Sequence, residues 1–493
     1  MLKASLLLSL ALLLGRMSGL ARELTLASIF GVSLEADMAV LLLTLPDLLV
    51  NLLISGGLSA ALVPRFSALA SAGAYALFRQ ASVAVVLLFA VVGGLFVAFP
   101  QVFFAFLAPG IGGQFAIGAL GLFAIALALP LTGGSGVAAA YLNSRGRFFV
   151  SGCGTLIFNL AVLAALWKAM SVAEPLALLA VGIFVGAVIR WGAQIAALPK
   201  GISRAEAHLG LIDRTLMRAF CAATLAAGLM LIAPVLIRAM ASTLGAGAIA
   251  SFNYAQKLVE LPVAILVTSI STVALPRLSS MYAVHKSADA HQSAVRDVQY
   301  ALLIAVPVAV LGIHFADSVV NVLFGRGEMG GEALQRVTGL TRIALLGVPA
   351  IAISSMASAV LNAQNSSGQV LKATLGSLVL LPLLALPGLM LSSEAGLMAA
   401  VVAFQVIVAV WLAHLAKLPF FGRGSILSGA GCEAFVRVLV LAGLFAAIDA
   451  VTKMDSSVLR LAIAGTGFGI VLCFPVRRFA RSNPHPTFIP QVL

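Results

Sequence analysis

Long unbroken runs of apolar residues, separated by short polar breaks, dominate this 493-residue chain. A bilayer core of about 30 Å needs roughly 20 apolar residues per helix, and fourteen runs approach that length. They begin near Ala4, Asp37, Gln80, Phe115, Phe149, Pro175, Leu216, Ala248, Tyr300, Val337, Leu371, Ala395, Val436 and Val458. Strands of a membrane barrel would alternate apolar and polar positions, and these runs do not. The pattern predicts an all-α integral membrane protein with about fourteen transmembrane helices.

The chain also repeats itself. Pro130 with Leu142-Asn143 returns as Pro349 with Leu361-Asn362, an offset of 219, and Val63-Pro64-Arg65-Phe66-Ser67 returns as Leu275-Pro276-Arg277-Leu278-Ser279, an offset of 212. The first echo joins span four to span ten and the second joins span two to span eight, so the duplicated unit is six helices long. An even helix count preserves orientation, so the copies are parallel. The expected organisation is an N-lobe at 1–205 (spans one to six), a C-lobe at 206–420 (spans seven to twelve), and spans thirteen and fourteen with a cytoplasmic tail at 421–493. Duplicated halves facing each other across a cavity are a common carrier design, so the repeat points to transport.

Composition narrows this further. With 61% hydrophobic and 10% charged residues and a mean hydropathy of +1.12, the chain has too little polar surface to cover a soluble globule. Its net charge of +13 comes mainly from loops after even-numbered spans, including Arg65, Arg145, Arg147, Lys200, Arg204, Lys286, Lys417 and Arg477. Basic residues near helix ends stay on the cytoplasmic side, so both termini are expected there. A basic face against anionic headgroups, rather than nucleic acid, accounts for the charge. The first twenty residues resemble a signal peptide, with Lys3 and a small-residue site at Gly19-Leu20-Ala21, but cleavage would leave the N-terminal copy one helix short. Cys153, Cys221, Cys432 and Cys473 lie too far apart for metal-ligand spacing and read as packing residues. His314 and His414 sit in or near spans, where a lone His either relays protons or simply packs.

Ionisable groups inside spans are costly and usually face a cavity, a partner or water. Those singled out are Arg16, Arg22 and Glu23 in the first span, Asp37 and Asp47 in the second, and Lys257 and Glu260 in the eighth. Arg16 and Glu23, seven apart, share one helix face, and Arg22 is turned about 100° from it. Two readings stand for the arginines: they present planar guanidinium groups to an anionic substrate, or Arg16 pairs with Asp37 or Glu23 while Arg22 snorkels to an interface. Lys257 and Glu260, at i and i+3, either pair with each other or supply charge to a cavity. Pro46, Pro130, Pro262 and Pro349 bend their helices and are hinge candidates, or are simply prolines of membrane helices. Gly133-Gly134-Ser135-Gly136 lacks the strand and Lys-Ser/Thr of a phosphate loop and suits close helix approach instead.

The run Gly15-Arg16-Met17-Ser18-Gly19-Leu20-Ala21-Arg22-Glu23, followed by Phe30-Gly31, Ala36-Asp37, Leu45-Pro46 and Gly56 to Pro64, resembles the MurJ/MviN family of lipid II flippases. So do Leu107-Ala108-Pro109-Gly110, Leu142-Asn143, Tyr254-Ala255 through Glu260-Leu261-Pro262, and Leu275-Pro276 with Ser279. The resemblance runs in order over all fourteen spans and implies membership of the wider MOP exporter superfamily.

It also implies a flippase, not an enzyme, that moves undecaprenyl-pyrophosphate-linked lipid II across the bacterial inner membrane by alternating access. The last two helices would cradle the lipid tail. By position, Arg16, Arg22 and Asp37 match family residues that matter for transport, and Lys257 stands where a cavity arginine is usual; with Glu260 these form the expected substrate-binding set. The departures are an absence of the usual arginines near Val50 and Asn51, Ser55 in place of an acid, Asp47 for an asparagine and Gln256 for an aspartate. They keep open a flippase for another undecaprenyl-linked glycan, such as an exopolysaccharide or O-antigen precursor. A membrane glycan polymerase or ligase is disfavoured, since it needs catalytic carboxylates or His in a sizeable external loop. No metal and no cofactor are expected, only coupling to membrane potential or a monovalent ion, in a monomer whose partners are its lipid-linked substrate and membrane lipids.

Overall fold

The computed structural model describes residues 2–50, 58–111, 117–169, 171–199, 214–264, 268–284, 287–420 and 425–426, with seven separate positions between 436 and 466. Among these the chain is helical throughout. The loop carrying the 205/206 lobe boundary, and nearly all of spans thirteen and fourteen, lie outside the described residues.

Packing divides the chain into two compact units, Met1–Ala250 with Gly327–Met329, and Ser251–Arg326 with Gly330–Leu493. The first contains α1 (Leu2–Phe30), α2 (Leu34–Val50), α3 (Leu58–Ala68), α4 (Ser71–Ala98), α5 (Pro100–Leu107), α6 (Ala119–Ser144), α7 (Phe148–Ala169), α8 (Pro175–Ala196), α9 (Arg214–Ser242) and the first turn of α10 (Ala248–Pro262). The second contains the remainder of α10, α11 (Thr268–Ala283), α12 (Ser287–His314), α13 (Ala316–Phe324), α14 (Gly331–Leu345), α15 (Val348–Ala363), α16 (Ser367–Met390) and α17 (Glu394–Leu415).

The helix boundaries carry the repeat further than the two sequence echoes. α7 and α16, like α8 and α17, start 219 residues apart, the offset of the Pro and Leu-Asn echo. Packing repeats as well: α6 lies against α3, α4 and α8 in the first unit, and α15 lies against α11, α12 and α17 in the second. The repeat makes α9 the counterpart of α1, yet it packs within the first unit against α3 and the Pro109–Ile111 turn.

Seven helices of the described residues are long and apolar enough to cross a membrane: Ser71–Ala98, Ala119–Ser144, Phe148–Ala169, Pro175–Ala196, Ala288–His314, Ser367–Met390 and Glu394–Leu415. Span ten, expected as one helix from Val337, is instead α14 and α15 with a bend of 43° between them. Gly347 sits at the break and Pro349 opens α15, a position where a missing N–H costs nothing. Pro46 and Pro130 lie inside α2 and α6, and Pro262 ends α10.

Small residues set how closely the first unit packs. A Cβ on Gly133 would come within 2.7 Å of Phe89, and one on Gly134 within 3.0 Å of Trp191, so this run does bring α6 close to α4 and α8. At the other end of the same contact, Tyr141 is fully buried, with Phe66 edge-on at 5.3 Å, Phe78 at 5.0 Å and the Arg145 guanidinium 5.5 Å from its ring centroid. Ring quadrupoles favour such edge contacts and a cation over the face.

Neighbouring glycines of α4 offer a controlled test. A Cβ on Gly93 would lie 2.5 Å from the Ala126 carbonyl oxygen, whereas one on Gly94 meets nothing within 4 Å. Gly93→Ala should destabilise by about 1–3 kcal/mol through overpacking, and Gly94→Ala should be neutral or stabilise by up to about 1 kcal/mol through helix propensity. Thermal unfolding of the two variants in detergent checks the contrast.

Candidate functional site

The ionisable residues of the first span separate along α1. Arg16 is exposed and, among the described residues, joins no ion pair. Arg22 is 5% exposed and Glu23 2%. Sharing a face with Arg16 does not expose Glu23, because the C-terminal half of α1 is enclosed by α2 and α7.

Arg22 does not snorkel. One Nη donates to Asn159 Oδ1 at 3.1 Å, and the other donates to Glu23 Oε1 at 2.8 Å and to Asp47 Oδ2 at 3.2 Å. Asn159, on α7, in turn donates to the Gly15 carbonyl and to Ser18 Oγ, each at 3.1 Å. Ser18 closes the network by donating to Gly15 O at 2.9 Å. Gly19 gives Asn159 its room, since a Cβ there would sit 3.4 Å from the amide nitrogen. The arrangement answers a physical demand: a lone guanidinium in an apolar interior costs several kcal/mol, and only good geometry with further hydrogen bonds offsets that. Asp47 alone opens outward, with 44% of its side chain exposed.

Sequence reasoning missed three members of this cluster, Arg190, Gln194 and Asn159. Arg190 of α8 is 4% exposed and Gln194 is wholly buried. Both lie against Gly154 of α7, and Arg190 interacts electrostatically with Asp47. The signal was available: Arg190 interrupts an otherwise apolar span and Gln194 follows one turn later. Asn159 is a weaker signal, as a single amide in an apolar run. The cluster therefore joins two arginines, two carboxylates and two amides from four helices of one unit.

Asp37 is placed differently from the arginines it was grouped with. It is 1% exposed and accepts from the backbone N–H of Gly247 and of Ala250, each at 2.7 Å. Gly247 precedes α10 and Ala250 lies in its first turn, so Asp37 caps that helix from α2. A carboxylate suits this place because the amides of a first helical turn lack partners and carry partial positive charge. Gly247, at φ +79°, makes the approach possible, as a Cβ there would strike Val32 at 2.5 Å.

Lys257 and Glu260 pair on the surface of α10 at 2.7 Å, with side chains 32% and 62% exposed. At that exposure the pair contributes about 0–1 kcal/mol. The second unit has polar ties of its own that the sequence did not announce. Arg277 of α11 is bonded to the buried Asp297 of α12, and Arg336 of α14 forms a two-bond contact with Glu394 of α17. Gln299 donates to the carbonyls of Ser425 and Ile426 at 3.3 and 3.1 Å, fastening the chain beyond α17 to α12. Val50 is in α2, but its side chain, with Asn51 and Ser55, lies outside the described residues.

Comparison with known proteins places these features in a family. The solved structure of "Lipid II flippase MurJ, inward closed conformation" superposes with a TM-score of 0.82 over 96% of this chain and 100% of that one, at 17% identity. An inward-facing multidrug resistance MATE transporter of the MOP superfamily gives 0.69 over 82% and 94%, at 13% identity. In sequence, the chain is 27% identical over 421 residues to the lipid II flippase MurJ of Burkholderia cenocepacia, covering 78% of this chain and 79% of that protein. It is also 27% identical over 363 residues to the probable lipid II flippase MurJ of Rhizobium tropici, covering 69% and 66%. The family profile described as "Lipid II flippase MurJ" matches residues 26–464, and the chain therefore belongs to the lipid II flippase MurJ family.

Proposed function

We propose that this protein is a flippase that carries lipid II, the undecaprenyl-pyrophosphate-linked peptidoglycan precursor, across the bacterial inner membrane by alternating access. Family membership over residues 26–464 carries the reading, and the buried guanidinium of Arg22 within its polar cluster gives it a chemical basis. A pyrophosphate headgroup must cross a layer in which unsatisfied polar groups cost several kcal/mol, and fixed guanidinium groups lower that barrier. Arg22, Arg16 and Lys257 are the cations assigned to the phosphates. Asp37 acts through α10, whose first turn it holds and whose length carries Lys257 and Glu260. Pro46, Pro130, Pro262 and Pro349 remain the hinge set, membrane potential or a monovalent ion supplies the energy, and the protein works as a monomer.

A second reading has one specific observation behind it. Asp47, where the family usually has asparagine, places a carboxylate on Arg22, as would suit a related undecaprenyl-linked glycan. Complementation separates the two. The gene should restore growth to a strain depleted of its own lipid II flippase; failure to do so, with restored surface polysaccharide in a strain lacking that flippase, would favour the second substrate.

Arg22→Ala should reduce flipping in proteoliposomes by at least about thirtyfold, since removing one partner of a buried charge pair costs about 2–5 kcal/mol. Asp37→Ala should act through stability instead, lowering the unfolding free energy by about 1–3 kcal/mol as the cap and its buried amides lose their acceptor.

Both termini are assigned to the cytoplasm from the distribution of Lys and Arg. In a cysteine-free background, Gly330→Cys should react with a membrane-impermeant thiol reagent added to spheroplasts, and Arg147→Cys should react only after lysis. The reverse labelling would invert the topology.

A further inference from the structure

The cluster in the first unit holds a cation that the Arg22 network leaves over. Arg190 is 4% exposed, yet among the described residues no carboxylate lies within ion-pair distance of it, and its Nε has no acceptor. Beside it Gln194 is fully buried, and neither atom of its amide has a hydrogen-bond partner. Both side chains occupy the space that Gly154 leaves, where a Cβ would come 3.0 Å from Arg190 Nε and 3.3 Å from Gln194 Nε2. Such unmet buried donors are uncommon in folded proteins and call for an explanation.

Asp47 is the carboxylate whose charge reaches Arg190, from beyond ion-pair distance. The same carboxylate takes the longest of the three contacts of Arg22, at 3.2 Å against 2.8 Å for Glu23. Glu23 is sealed inside the unit, whereas Asp47 reaches in from the open side. Arg22 would keep Glu23 and Asn159 if Asp47 left. Carboxylate and phosphate oxygens use the same guanidinium donors.

We infer that Asp47 is an internal stand-in for the substrate's phosphate, holding the anion position on Arg22 in the empty protein and yielding it to the pyrophosphate. Arg190 is then a further headgroup-binding residue and Gln194 a neutral donor beside it. An internal competitor weakens binding of the headgroup, and weaker binding is what permits release after crossing. The inference rests on the flippase reading above.

The test measures binding of a short-chain polyprenyl pyrophosphate to the full-length protein in nanodiscs, with the phosphate-free polyprenol as control. Asp47→Asn, which removes the charge and keeps the shape, should tighten pyrophosphate binding about tenfold, or 1.4 kcal/mol. Asp47→Glu should bind as the wild type does. Arg190→Gln should weaken binding about tenfold, Arg190→Lys should restore most of it, and the Asp47→Asn gain should shrink in the Arg190→Gln background, as coupled residues require. Polyprenol binding should be indifferent to all four changes; a purely structural effect would move both ligands together. If the wild type prefers the pyrophosphate and Asp47→Asn binds it no more tightly, the stand-in is overturned and the flippase reading stands. If no variant, nor the wild type, distinguishes pyrophosphate from polyprenol, the flippase reading falls and this inference with it.

Discussion

The first unit is organised around the need to keep one guanidinium charge in an apolar interior. Arg22 has no water to turn to, so partners must come from the protein, and they come from three helices: Glu23 beside it on α1, Asp47 from α2 and Asn159 from α7. Each of these restricts its own helix. Asn159 reaches Gly15 and Ser18, which sets the register of α7 on α1, and Asp47 brings the second half of α2 against the same point. A buried ion pair is weak evidence of net stability compared with a well-packed apolar core. Its presence in a span where leucine would suffice is an argument for function.

The two units share a packing scheme and differ in how they use charge. In the first, opposite charges from α1 and α2 converge on Arg22. In the second, the ion pairs tie helices two at a time, Arg277 to Asp297 and Arg336 to Glu394, and leave no comparable centre among the described residues. Duplication thus supplied a scaffold, and the polar residues within it diverged to separate tasks. Small residues kept the scaffold itself: Gly133 and Gly134, on adjoining faces, allow α6 to approach α4 and α8.

Much of the architecture was legible in the sequence because its causes are local or periodic. Apolar runs follow from bilayer thickness, and the Leu-Asn echo falls at the ends of α6 and α15, where backbone geometry restricts substitution. The polar centre was legible only in part. Arg22 stood out as a charge in a span, but Asn159 and Arg190 come from helices more than 130 residues away, and nothing local says they meet. Asp37 shows the same limit: its partners, Gly247 and Ala250, lie 210 and 213 residues further on, so a residue grouped with the cations is found fixing a helix end. The bend in span ten was foreshadowed by Pro349, but the break of the helix into two was not, because Gly347 and Pro349 leave the apolar run uninterrupted.

The ends of α6 and α15 hold the repeat in its most conserved form. In each, the chain turns off through a residue in the left-handed region, Gly146 at φ 73° and Asn365 at φ 56°. The amide after each reaches back to a leucine carbonyl, Arg147 to Leu142 at 2.9 Å and Ser366 to Leu361 at 2.8 Å. Glycine and asparagine are the residues that enter this conformation most readily, so the two copies differ in letter while agreeing in dihedral angle. What descended from the ancestral six-helix protein at this point is a conformation and not a residue. Kinship between such halves is therefore better traced by which positions must turn left-handed than by counting identical amino acids.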